Sequence, residues 1–329
     1  MSAGDGASTT AWARGLGLAA PVVCAPMGGV AGGALAAAVS LAGGLGTIGM
    51  GSAGSVPALE RELAARETAL AHAGTDPAAS PFGIGLVAWG IARDPALLER
   101  ALAAGPTLVS VSFGEWGAPD PGAAWIPAVH GIGALAVTQA ATVAEARAAA
   151  DAGVDAVVAR GREGGGHGDH REPRDALLAE VRAAVGIPVL AAGAVAGAAD
   201  LARVLDAGAA AAWVGTAFAA CTEALTPAAA REVLFASRGE ETLVSRVYDV
   251  ALGRPWPARF PERLIRTPFV DRWHGREDAL AADEAARAEF RAAAAAGDYR
   301  VVPVDAGTGV DALTEERSAA EVLAALTGR

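Results

Sequence analysis

Short apolar runs with little alternation recur along the chain, each following an amphipathic stretch that ends in Ala-Gly or a similar pair. The unit reads LAGGLGTIGMG at 41–51, AAGPTLVSVSFG at 103–114, DAGVDAVVARG at 151–161 and DAGAAAAWVGT at 206–216. HGIGALAVTQ at 130–139 and AVGIPVLAAGA at 184–194 follow it more loosely. Glycine at the C′ position ends a helix at little steric cost, and a strand without alternation is one buried on both faces. PVVCAPM at 21–27 and PFGIGLVAW at 81–89 bring the strand candidates to eight. Amphipathic segments at 33–42, 56–73, 95–104, 121–130, 142–152, 175–185, 198–207 and 226–237 predict the helices between and after them. Alternating β and α over roughly 220 residues implies a parallel sheet. Eight units favour a closed (β/α)8 TIM barrel of the α/β class, with an open doubly wound sheet as the alternative.

Gly44-Leu45-Gly46-Thr47-Ile48-Gly49 fits the dinucleotide fingerprint G-x-G-x-x-G. That fingerprint needs a strand before the glycines and a helix after them. Here the order is reversed, so the match is rejected. Past residue 238 the periodicity ends: RVYDVALGRPWPARFPERLIRTPFVDRWHG is rich in Arg, Pro and aromatic residues. Ala/Glu/Arg-rich helices are predicted at 278–296 and 315–326. The chain therefore reads as a barrel over 1–237. Residues 238–329 read as an extension wrapped over it, a candidate lid in the same domain, rather than a second domain with its own core.

Composition narrows the chemistry. The net charge of −11 is opposite in sign to what a phosphate-backbone binder needs, so no nucleic-acid partner is expected. All 26 basic residues are arginine, which excludes Schiff-base chemistry on lysine. Cys24 and Cys221 form neither a disulfide framework nor a C-x-x-C pair. The N-terminus lacks a basic start followed by an apolar core, and every apolar stretch is broken before about 18 residues. A cytoplasmic protein without a membrane partner is expected.

In a (β/α)8 barrel the active site lies at the C-terminal ends of the strands. The segments after strands seven and eight, Gly193-Ala194 and Gly215-Thr216, are where such barrels hold phosphates, through backbone N–H groups that small residues leave accessible. Ordinary tight turns are the alternative there. The longest of these segments, after strand six, reads Arg160-Gly161-Arg162-Glu163-Gly164-Gly165-Gly166-His167-Gly168-Asp169-His170. Three consecutive glycines remove every Cβ beside His167, so that a flat ligand could lie on the backbone and the imidazole could face the barrel mouth as base or hydrogen-bond partner. A mobile loop carrying a solvated histidine is the alternative. No metal is expected, because no acidic or thiol cluster with ligand spacing accompanies His167 and His170. Glu163, Asp169 and Glu172 among Arg160, Arg162, Arg171 and Arg174 read as a solvated loop with local ion pairs. His72, His130 and His274 read as structural or surface residues.

Over nearly its whole length the sequence resembles the nitronate monooxygenase family, also called 2-nitropropane dioxygenases, which are FMN-dependent (β/α)8 enzymes. The resemblance is carried by APMGGVAGGALAAAVSLAGGLGTIGMG, VVARGREGGGHG, IPVLAAGAVAG and WVGTAFAACTEA, with WPARFPERLIRTPFVDRWHG similar to one bacterial branch. The family motif A-Q-G-x-E-A-G-G-H is matched by Ala159 to His167. The resemblance implies that His167 is the catalytic histidine and that Pro26, Met27 and Gly28 form the turn beside the isoalloxazine. It implies that Gly165 contacts FMN, and that Gly193, Ala194, Trp213, Val214, Gly215 and Thr216 form the phosphate turns. Gln139 falls near the pyrimidine edge. Arg160 stands where the family usually has Gln, Gly85 where many members have an FMN-contacting Asn, Ala194 in place of a second Gly, and Gly164 in place of Ala.

The implied activity is oxidation of alkyl nitronates by O2 to a carbonyl compound and nitrite, with the nitronate as small-molecule substrate. The resemblance admits a homodimer. Two other readings stay open: a flavin-dependent enoyl-acyl-carrier-protein reductase using NADH, and a flavin-binding barrel without catalysis.

Overall fold

The computed structural model describes residues 9–116 and 124–329. Eight strands form the expected parallel barrel: β1 (Val22–Cys24), β2 (Gly46–Gly49), β3 (Phe82–Val87), β4 (Leu108–Ser112), β5 (Leu135–Ala140), β6 (Ala156–Arg160), β8 (Val189–Ala192) and β9 (Ala212–Val214). A two-residue strand, β7 (Gly166–His167), lies in the loop after β6, so β8 and β9 are the seventh and eighth staves of the barrel. The sheet runs β1-β9-β8-β6-β5-β4-β3-β2, and a parallel bridge from Val23 to Leu45 joins its edges. The helices fall where the amphipathic segments predict, among them Gly33–Leu41, Val56–His72, Val143–Asp151 and Arg174–Ala184. The segment predicted at 121–130 is helical over Trp125–His130, and its first three residues lie outside the described ones.

Both strand faces are apolar for different reasons. Val158, Leu190, Ala192 and Trp213 point into the barrel, while Val157, Ala159 and Ala191 face the surrounding helices. The short helix Ala11–Gly15 supplies Ala13, with Trp12 and Leu16 beside it, to the interior cluster. Thr10 Oγ1 donates to the carbonyl of Ala210, ahead of β9, so this helix closes the N-terminal end of the barrel. Each fully buried Val or Leu in these layers contributes about 1.5–3 kcal/mol. No helix among the described residues is long and apolar enough to cross a membrane.

The region beyond 238 departs from the pattern. Strands β10 (Thr242–Ser245) and β11 (Glu262–Ile265) pair antiparallel, and β11 also pairs antiparallel with β7, giving a three-stranded sheet beside the barrel mouth. Val247, Leu264, Phe269, Val270, Leu280 and Phe290 form an apolar cluster of this region's own, which the lack of periodicity did not predict. The helix expected at 278–296 is two helices, Glu277–Ala282 and Glu284–Ala296. Asp283 leaves helical geometry between them and its side chain accepts from the Ala286 N–H, capping the second. The last helix begins at Ala319, later than expected, where Ser318 and Glu321 form a capping box.

Candidate active site at the barrel mouth

A cavity of about 360 Å³ opens at the C-terminal ends of the strands. Pro26, Met27 and Gly28 border it after β1, Gly85 from β3, Gln139 from β5 and Arg160 from the end of β6. Gly165 and His167 form one wall, and Gly193, Ala194, Trp213, Val214, Gly215 and Thr216 line the mouth at the ends of β8 and β9. All the site residues expected from sequence thus surround one space.

The turn after β8 is held by a buried arginine. Arg174 is buried, and its Nη1 donates to the carbonyls of Gly193 at 2.9 Å and Ala194 at 3.1 Å. A trans peptide holds its C=O and N–H on opposite sides. Turning those two carbonyls toward Arg174 therefore turns the N–H groups of Ala194 and Val195 away from it. Among the described residues, the N–H groups of Gly193, Ala194, Val195, Gly215, Thr216 and Ala217 donate no hydrogen bond. Ala194 holds φ +47°, a left-handed conformation unusual for a residue with a Cβ. Arg174 was expected in a solvated loop; it is instead buried as the brace of this turn, with Asp175 at 2.7 Å from its Nε. Glu163 Oε2 accepts from the Arg174 N–H, joining the loop after β6 to the helix that follows it.

That loop is tied down rather than mobile. Gly166 and His167 pair with Arg263 and Glu262 of β11. Arg160, 7% exposed, donates from Nη2 to the carbonyls of Gly165 and Gly166, and burial pushes its guanidinium down to about 10, with Arg263 adding to the effect. The glycines serve this packing: a Cβ on Gly165 would stand 2.5 Å from the amide nitrogen of Gly307. On its Cβ side Gly165 is thus filled by the chain itself, while its backbone still borders the cavity. Gly85 is explained in the same way, because a side chain there would run into the Pro26 ring at 2.1 Å.

Five residues that sequence reasoning missed complete the wall around His167. Its Nε2 lies 2.8 Å from Asp249 Oδ2 and 3.7 Å from Glu262 Oε2. Its ring stacks on Trp256 with centroids 3.7 Å apart and planes within 10°. Trp256 is braced edge-on by Phe113 and Trp89. Arg254 and Asp305 also border the cavity. Burial pushes the Glu262 carboxyl well above the usual carboxylate range, and Asp305 and Asp249 push the same way. Asp305 is open to the cavity yet enclosed by protein, and this desolvation raises it too, against the opposing pull of His167. The only signal for this wall in the sequence was the density of charged and aromatic residues in a segment without periodicity.

No metal site was expected, yet the ligand atoms of His167, Asp249 and Glu262 lie within 4.8 Å of one another. The 2.8 Å contact is a hydrogen-bond distance, so a proton between Nε2 and Oδ2 already accounts for it.

The nitronate monooxygenase family model matches residues 14–328. The nitronate monooxygenase of Pseudomonas aeruginosa is 32% identical, the match covering 97% of this chain and 98% of that one. Among solved structures, the nitroalkane oxidase from Streptomyces ansochromogenes superposes with a TM-score of 0.76 at 29% identity, over 97% of each chain. FabK from Thermotoga maritima superposes with a TM-score of 0.78 at 25% identity, over 96% of this chain and 94% of that one. With His167 and the turns after β8 and β9 lining one barrel mouth, and a match along almost the entire sequence, the chain belongs to the nitronate monooxygenase family.

Proposed function

We propose that the protein is an FMN-dependent nitronate monooxygenase that converts alkyl nitronates and O2 to carbonyl compounds and nitrite. The observation that carries the reading is the set of six backbone N–H groups without partners among the described residues, on residues that border the same cavity as His167. Such donors fit a phosphate, and Arg174 holds two of them in direction. Pro26, Met27 and Gln139 border the part of the cavity suited to a flat ring. FMN bound there would supply the one-electron oxidation of the nitronate. His167 holds the nitro oxygens, and it receives the α-proton when the substrate enters as the neutral nitroalkane. Trp256, stacked on the imidazole, keeps that ring in one plane and excludes water from its face.

Purified protein should be yellow, and nitrite should appear when propane-2-nitronate is added in air. His167→Ala should retain the colour and lose most nitrite release, about 10²-fold or more, the scale of one acid–base or hydrogen-bonding group. Colourless protein that takes up no added FMN refutes the cofactor, and undiminished nitrite release refutes the role of His167. NADH consumption with an enoyl thioester, without nitrite from nitronates, would transfer the reading to a reductase.

A further inference from the structure

The wall that the C-terminal region builds around His167 determines which of its nitrogens meets the substrate. Nε2 faces Asp249 Oδ2 at 2.8 Å, in a pair whose side chains are 10% and 5% exposed. A carboxylate only accepts, so in that contact Nε2 carries the hydrogen. Nδ1 has no hydrogen bond among the described residues, and His167 borders the cavity. From the geometry we infer that Asp249 is the positioning residue of the site: it holds His167 as the Nε2–H tautomer, presents Nδ1 to the substrate, and makes binding of a nitronate anion take up one proton. The inference rests on the reading that His167 meets the nitronate.

The proton follows from donor counting. A neutral imidazole that has given Nε2–H to Asp249 offers the cavity a bare lone pair. That lone pair suits the α-C–H of a neutral nitroalkane: the C–H bond breaks, an N–H bond forms at Nδ1, and the electron pair passes to the nitro oxygens. It repels the oxygens of a nitronate that arrives already ionised. Such an anion can be held by Nδ1 only as Nδ1–H, which makes the ring an imidazolium. The surroundings suit that cation. Asp249 lies at one edge, Glu262 is 3.7 Å from Nε2, Asp305 borders the same cavity, and the face of Trp256 lies parallel at 3.7 Å. Arg254 and Arg160 border the cavity as opposing charges. Asp249, at hydrogen-bond distance where Glu262 is not, is the carboxylate that pairs with the ring.

Two measurements on the flavin-loaded enzyme test this. Nitrogen-15 NMR of histidine-labelled protein, with the His167 signals assigned by their loss in His167→Gln, should show Nε2 protonated and Nδ1 bare. Asp249→Asn, whose amide can donate to Nε2, should shift the ring toward the Nδ1–H tautomer, and Asp249→Glu should restore the original one. In steady-state nitrite assays with propane-2-nitronate, KM should rise by about tenfold per pH unit on the alkaline limb while kcat stays nearly flat, as uptake of one proton requires. Asp249→Asn should flatten that limb, because its Nδ1–H ring holds the anion without taking up a proton. It should raise KM only below that limb, where the parent ring is the imidazolium. An Nδ1–H ring in the unmodified enzyme, or an Asp249→Asn variant with unchanged tautomer and KM profile, overturns the inference. Absence of nitrite from the unmodified enzyme would instead sink the proposed activity, leaving the NMR result to decide the tautomer alone.

Discussion

Replacing Arg174 by leucine tests the turn on which the proposed phosphate site depends. Leucine fills part of the space but donates nothing, so the carbonyls of Gly193 and Ala194 lose their partner. Each buried carbonyl left unpaired costs about 1–3 kcal/mol. Part of this is offset because a guanidinium no longer has to be kept out of water. The ion pair with Asp175 adds little, since that carboxylate is 54% exposed and solvent screens it. The net loss should be about 2–4 kcal/mol, read as a lower urea midpoint for the cofactor-free protein at unchanged m-value. The same variant frees the Gly193-Ala194-Val195 peptides to rotate, so FMN should dissociate about tenfold more readily, measured by the recovery of flavin fluorescence. Arg174→Lys, keeping the charge but not two donors at these angles, should fall between. An Arg174→Leu protein that unfolds within about 0.5 kcal/mol of the parent would refute the idea that this cation sets the turn.

Three further outcomes follow from individual positions. Gly85→Asn, although it restores a residue common in the family, should cost about 3 kcal/mol, because the added Cβ meets the Pro26 ring at 2.1 Å; a lower thermal midpoint without cofactor checks this. Ala194→Gly should raise stability by about 1 kcal/mol through relief of the left-handed backbone at φ +47°, seen as a higher urea midpoint. Glu262→Gln should gain stability relative to the parent as pH rises above the ordinary carboxylate range. A carboxyl raised by burial binds more protons folded than unfolded, so the parent loses stability with rising pH over that window and the amide does not. Parallel unfolding curves at several pH values would show whether the two proteins diverge.

Legibility of the sequence differed between the two parts of the chain. The barrel was readable because each strand such as Ala156–Arg160 is buried on both faces and follows a glycine-terminated helix, a signature visible within a dozen residues. That the turns after the last two strands line the cavity was readable from their position. The wall around His167 was not. Asp249 is 82 residues distant along the chain, and β11 carries the buried Glu262 where an apolar residue would have announced a strand. Arg160 and Arg174 misled because arginine in a glycine loop resembles solvated surface. Only the tertiary structure shows that both are spent on backbone carbonyls. The break at Asp283 stayed hidden inside an alanine-rich run whose composition favours helix on either side.

The pairing of β7 with β11 has a bearing on biosynthesis. A ribosome that has released all eight staves has made a vessel whose reactive wall is still missing, because the partners of His167 at 249, 256 and 262 emerge only afterwards. A chain cut short of those positions would carry His167 without the carboxylates and the indole that fix its ring.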